Sequence, residues 1–238
     1  MRTIVRRVAG IAIGIAVSAV VGTTSAGAIL QDAGGAVNVL AEPPADVSPD
    51  VLASDTQAFV FVEQACVTLT TGLAVDVINP AGTYSDVLTQ RGVIPAGTQV
   101  DSYYVHFDQV QTSSGTVSGT LTFDRPVLGL IYRTPTLNST DATMGAPGTQ
   151  YPEGPDTLAR GYDGPSYVSV SVDGRTVTFS AQVSAYQEEL RIITTGTCEA
   201  ETLADCKNGR WDAYGFRNQG QCVSFVATNS RHAEAAFS

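Results

Sequence analysis

The sequence predicts an all-β protein, an antiparallel β-sandwich of jelly-roll-like type with a small disulfide-closed C-terminal appendage. Three observations predict it. From about Gln57 onward, apolar and polar residues alternate with period two. Turn residues separate these runs into about eight short strands, and no long stretch carries helical periodicity. Four cysteines follow an N-terminal segment of export type.

The chain has 238 residues and opens MRTIVRRVAGIAIGIAVSAVVGTTSAGA. Arg2, Arg6 and Arg7 form a basic start, an apolar run extends from Val8 to Gly22, and Ala26-Gly27-Ala28 offers a small-residue cleavage site. That order predicts a secretory signal peptide over residues 1–28. The apolar run is short for a bilayer span of about 20 residues, which argues against a retained anchor. Removing 1–28 leaves 10 basic against 23 acidic side chains, a net charge of about −13. Such a surface repels phosphate backbones and anionic lipid, so neither nucleic acid nor a membrane is an expected partner.

Residues 29–56 hold Pro43, Pro44 and Pro49 among acids, and a disordered linker or propeptide is expected there. Strands begin at Gln57 with AFVFVEQ and CVTLTTGLAVDV. In IPAGTQVDSYYVHFDQV, Tyr103, Val105 and Phe107 share one face; Tyr104, His106 and Asp108 share the other, which is expected to meet solvent. GTVSGTLTFD turns Val117, Leu121 and Phe123 inward and Ser118, Thr120 and Thr122 outward. PVLGLIY is continuously apolar, as a central strand is. YVSVSVDGRTVTFSAQV reads as a hairpin about Asp173-Gly174: Val168, Val170 and Val172 alternate with serines, and Val177, Phe179 and Ala181 alternate on the return. ELRIITT closes the series. Two such sheets bury their apolar faces against each other, giving a sandwich domain over 57–196, with a closed barrel as the alternative.

Residues 133–166 interrupt the strands, with room for one helical turn at Thr136–Met144. Asp141, Asp156 and Asp163 lie there among turns, together with Glu153. Oxygen donors of this kind suit calcium, although no regular Asp-x-Asp-x-Asp loop is present. The alternative is a solvated acidic loop.

The cysteines are Cys66, Cys198, Cys206 and Cys222. The expected pairing, one of three, is a local Cys206–Cys222 bridge and a long-range Cys66–Cys198 bridge. No CxxC pair exists and both histidines lie far along the chain from the cysteines, so zinc is not expected.

Catalytic signatures are sparse. There is no GxSxG elbow and no HExxH helix. His106 and Asp108 are two possible members of a triad, a weak pair of candidates for a secreted hydrolase. Glu188 and Glu189 are adjacent on a strand and point to opposite sides, so they cannot work as one pair. Binding has more to offer. CKNGRWDAYGFRNQGQC gathers Trp211, Tyr214 and Phe216 with Arg210, Asn218 and Gln221, aromatic faces and planar hydrogen-bonding groups that suit a sugar or peptide. The same aromatics can instead pack the loop onto the sandwich. The appendage is expected over 197–228 and a frayed tail over 229–238.

The series IPAGTQVDSYYVHFDQV, VSGTLTFDRPVLGLIY, VSVSVDGRTVTFSAQV and LRIITTG resembles a family of secreted bacterial proteins of uncharacterised function, over about residues 57–196. The final CKNGRWDAYGFRNQGQCVSF resembles a C-terminal element found on various exported bacterial proteins. That element usually reads Gly-Gly-Trp where this chain has Gly209-Arg210-Trp211. The resemblance implies export and a β-rich fold and supplies no catalytic residues. The expected function is a secreted, non-catalytic protein that binds an extracellular surface or polysaccharide. A secreted hydrolase and a calcium-ordered envelope or matrix component are the alternatives.

Overall fold

The computed structural model describes residues 30–85, 89–110, 114–152, 160–183, 187–196, 203, 206–207 and 217–235. Five strands form one sheet, in the order β1 (Leu30–Gly35), β9 (Gly115–Phe123), β12 (Thr176–Val183), β11 (Tyr167–Val170) and β6 (Gly82–Tyr84). Six form a second sheet: β2 (Val37–Val39), β3 (Ala58–Thr68), β8 (Gln99–Phe107), β13 (Glu188–Thr195), β10 (Val127–Ile131) and β5 (Val77–Ile78). β4 (Leu73–Val75) and β7 (Gly92–Ile94) make a small two-stranded sheet. The chain crosses between the two large sheets from β8 to β9, β9 to β10 and β12 to β13, so the fold is the antiparallel sandwich expected.

Inward alternation builds the core. Tyr103, Val105 and Phe107 of β8 meet Val117, Leu121 and Phe123 of β9 and Val177 and Phe179 of β12 in one cluster between the sheets. The β11–β12 hairpin turns at Asp173-Gly174, where Gly174 takes φ +72 and the Asp173 carboxylate accepts from Ser171 Oγ at 2.5 Å and Arg175 N at 3.1 Å. Val172 stands in that turn 97% exposed, outside the alternation expected of it.

The six-stranded sheet is covered on its other face too, which the sequence does not announce. Phe61, Tyr104, Ile131 and Ile193 pack there against Leu137 and Met144 of helix α1 (Thr134–Met144) and against Leu73, Val75 and Ile94. α1 has 11 residues, not one turn. Pro135 suits its first turn, and Leu137, Thr140 and Met144 give it a buried stripe. The Asp76 carboxylate fastens its start, accepting from Tyr132 N and Arg133 N at 2.9 Å and from Thr136 Oγ1 at 2.7 Å.

Two expectations about the ends are corrected. A disordered linker or propeptide is expected over 29–56, yet 30–39 contribute a strand to each of the two large sheets. The chain passes from β1 to β2 at Gly35, whose φ is +78 and where a Cβ would stand 2.6 Å from Ser118 O. Val47 beyond it is fully buried. Edge pairing with β9 and β3 satisfies the backbone there without an apolar repeat. At the other end, α2 (Gln219–Ala235) extends through most of the expected tail. It carries no proline and, after Gly220, no glycine.

Candidate functional site

His106 and Asp108 are not a surface pair. His106 is 0% exposed and Asp108 6%. The imidazole Nε2 lies 3.0 Å from Leu52 O, a carbonyl that can only accept, and Nδ1 lies 3.1 Å from Glu189 Oε1. Asp108 accepts from Asp50 N at 2.6 Å, and its own carbonyl accepts from Ser54 N at 2.8 Å. The two residues latch the 50–55 loop to the end of β8. No solvent reaches the histidine.

His106 belongs instead to a buried ionic cluster under α1. The Arg160 guanidinium donates to Glu189 Oε2, to Asp141 Oδ2 at 2.6 Å, to Asn138 Oδ1 at 2.9 Å and to the Tyr104 hydroxyl. Arg191 donates to both oxygens of Glu63, to Asp141 Oδ1 at 2.8 Å and to Thr140 Oγ1 at 2.7 Å. Tyr104 donates to Glu189 and Tyr151 to Glu63. Two guanidinium groups, Arg160 and Arg191, and the His106 ring thus meet three carboxylates, Glu63, Asp141 and Glu189. Burial alone would raise the Glu189 carboxyl, but Arg160, His106 and Tyr104 outweigh it and hold it below its ordinary range. Burial lifts the Tyr104 and Tyr151 hydroxyls above the phenol range, so both stay donors. Every charge has its partner, as a buried ion needs. The cluster is architecture: it binds α1 and the Arg160 segment to the sheet.

Sequence reasoning missed Glu63, Arg160 and Arg191. The available signal was a charge at an inward position of a strand, Glu63 two residues from Phe61 and Arg191 two from Ile193. A cleft of about 510 Å³ opens beside the cluster, lined by Asn138, Asp141, Thr149, Gln150 and Tyr151 among others. Its polar groups are largely engaged, Thr149 Oγ1 with Pro44 O at 2.6 Å and Gln150 Nε2 with Ser48 Oγ at 3.4 Å.

The calcium set does not assemble as expected. Asp141 is neutralised by two guanidinium groups, while Asp163 acts on Glu188, on the opposite side of β13. Asp156 lies outside the described residues. Among the described residues no group of three or more His, Cys, Asp or Glu side chains is arranged to hold a metal ion.

The outer face of the five-stranded sheet carries regular rows of hydroxyl side chains, with Asp32 of the edge strand β1 opposite Thr122. Across it Thr120 of β9 pairs with Thr178 of β12, which pairs with Ser169 of β11, which pairs with Thr83 of β6. A parallel row runs Ser118, Ser180, Tyr167, and another joins Thr122 to Thr176. Hydroxyls touch along these rows, Ser118 to Ser180 at 3.2 Å, Thr120 to Thr178 and Thr83 to Ser169 at 3.3 Å. Rows recur about every 6.8 Å along a strand, and strands stand about 4.8 Å apart. The outward positions of β6, β9, β11 and β12 carry no charged side chain.

Of the C-terminal candidates, Arg210, Trp211, Tyr214 and Phe216 lie outside the described residues. Asn218 and Gln221 are placed, and they form a helix cap rather than a ligand seat. Asn218 Oδ1 accepts from Gln221 N at 3.0 Å, and Gln221 Oε1 accepts from Arg217 N at 3.1 Å. Cys206 and Cys222 are bonded as expected, both fully buried, with Val226 packed against them. Cys66 is also disulfide-bonded; Cys198, its expected partner, lies outside the described residues.

No family model, curated protein or solved structure matches the chain. Among the described residues no helix is long and apolar enough to cross a membrane.

Proposed function

We propose that the protein is exported and binds, without catalysis, an uncharged polysaccharide of the cell surface or its surroundings. The observation that carries this reading is the set of hydroxyl rows on β6, β9, β11 and β12: a regular array with no charge at its own positions, on a chain of net charge −10. Hydroxyls donate and accept alike, so the array exchanges hydrogen bonds with a hydroxylated polymer in many registers. Each such bond contributes only about 1 kcal/mol net, and many made along one polymer add up to useful retention. The absence of charge across β6, β9, β11 and β12, with Asp32 only at the β1 edge, favours neutral over ionic partners.

The hydrolase alternative loses its motive, because His106 and Asp108 are buried and committed to other partners. The experiment is a pull-down of the purified secreted protein with insoluble neutral polysaccharides and with cell-wall preparations. Wild type is expected in the pellet, and a Thr120→Glu/Thr178→Glu variant, shown by circular dichroism to be folded, in the supernatant. Equal recovery of the two sinks the reading. A Trp211→Ala arm reports separately on the aromatic loop.

A further inference from the structure

On β13 the residue next to Glu189 faces the other way into very different surroundings. Glu188 is 3% exposed and points toward the turn Asp163–Ser166. That turn closes through Ser166 N to Asp163 O at 3.1 Å, with Gly164 at φ +53. A parallel bridge between Gly161 and Glu189 lays the segment along the start of β13. Asp163 and Ser166 bring their side chains within interaction reach of the Glu188 carboxyl. The strongest influences on Glu188 are burial, Asp163 and Ser166, and none of them is a cation.

Two further atoms point to a ligand. Glu188 Oε2 and the hydroxyl of Tyr162, itself 3% exposed, are buried without a hydrogen-bond partner, and Tyr162 lies within electrostatic reach of Glu188. Buried polar atoms are rarely left so. Asp163 is only part-buried, so the group opens to solvent on its side. Two adjoining carboxylates in a largely buried place need a positive charge between them, a shared proton or a metal ion.

We propose that Asp163 and Glu188, with Ser166 Oγ, form an oxygen-donor site for a divalent cation of the calcium type. Hard carboxylate and hydroxyl donors in an irregular arrangement suit calcium better than the strict octahedron of magnesium. The ion takes Glu188 Oε2 as a ligand, and its water shell gives the Tyr162 hydroxyl an acceptor. With two carboxylates the site belongs among weak extracellular calcium sites, which bind at about 10⁻⁴–10⁻³ M. It shares Asp163 with the set read from the sequence and puts Glu188 in place of Asp141 and Asp156. The bound ion would tie the segment that carries Arg160 to β13, stabilising the ionic cluster from its far side.

The test uses the full secreted chain at mildly alkaline pH, melted in chelator and in millimolar calcium. Calcium is expected to raise the wild-type Tm and to leave that of Glu188→Gln unchanged. Terbium supplies a second readout: tyrosine-sensitised emission appears in wild type, is displaced by calcium, and is lost in Glu188→Gln. Should Glu188→Gln not fold, Asp163→Asn makes the same comparison. A wild-type Tm indifferent to calcium, or a terbium signal undiminished in the variant, overturns the proposal in favour of a proton-sharing pair.

Discussion

Arg191 and Glu63 face each other from the two strands that flank β8. The guanidinium donates from Nε to Oε2 at 2.6 Å and from Nη2 to Oε1 at 2.7 Å, and both side chains are fully buried. The same carboxylate accepts from Ser102 Oγ at 2.5 Å and the Tyr151 hydroxyl at 2.7 Å. Removing one partner therefore strands the other's charge in a low dielectric. Arg191→Leu is expected to cost about 3–5 kcal/mol. Glu63→Leu combined with Arg191→Leu is expected to cost less than the two single losses added together. Urea unfolding of the three variants checks this, read as a shift in midpoint at constant slope.

Adjacent carboxyls on β13 have opposite pH dependences. Burial, then Asp163, push Glu188 up to about 10 in the metal-free protein. A carboxyl raised on folding stabilises fully below its unfolded pKa, and that contribution fades as pH rises through the folded value. Stability in chelator should thus decline between about pH 4.5 and 10, by at most about 1.4 kcal/mol per pH unit from this group. Glu189 is lowered, so its contribution is present above the ordinary carboxylate range and is lost as pH falls through its folded pKa. Unfolding midpoints measured across pH should show both limbs, and Glu188→Gln should flatten only the alkaline one.

His106 holds Leu52 O and Glu189 at once, so its loss should be felt in the 50–55 loop before the core. His106→Ala removes both of these hydrogen bonds from the cluster and opens a void. A loss of about 3 kcal/mol is expected. Hydrogen exchange is the decisive measurement: amides of Asp50 and Ser54 should lose protection out of proportion to the strands.

The inter-sheet core was legible, because Tyr103, Val105 and Phe107, like Val117, Leu121 and Phe123, follow a plain alternation. The second covered face was not. Tyr104, His106 and Asp108 look like a wetted face because a polar residue opposite water and one opposite a buried partner have the same local pattern. Glu189 stands 83 positions from His106 and Arg160 stands 56 from Tyr104, and only the fold joins these partners. β1 was illegible for another reason: LQDAGG has no period, and β9 alone dictates its conformation through backbone pairing.

The C-terminal element should melt by itself. Cys206, Cys222 and Val226 form a cluster separate from the two sandwich clusters, and Asn218 caps the helix that carries Cys222. Closing a loop of this length contributes about 3 kcal/mol in the chain-entropy model. Asn218→Ala is expected to weaken α2 by about 1 kcal/mol. Limited proteolysis of this variant and of Cys222→Ser should show faster cleavage C-terminal to 196, with the main Tm little changed. A matching fall in the main Tm would mean that the element is part of the sandwich's cooperative unit.

Gly119 sits at an inward position of β9, opposite Phe179 of β12. A Cβ there would come within 2.4 Å of Val37 Cγ2 and 2.6 Å of the Phe179 ring. The missing side chain is what lets β2, in the stretch read as linker, press Val37 against the inter-sheet core. Gly119→Ala must then displace either the phenyl ring or β2, and overpacking of this kind costs about 1–3 kcal/mol. Val37→Ala in the same chain vacates the contact on one side, so the double variant should regain part of the loss, measured as a coupling between the two substitutions. Full additivity would show that residues 30–39 lie loosely on the sandwich rather than forming part of its packing.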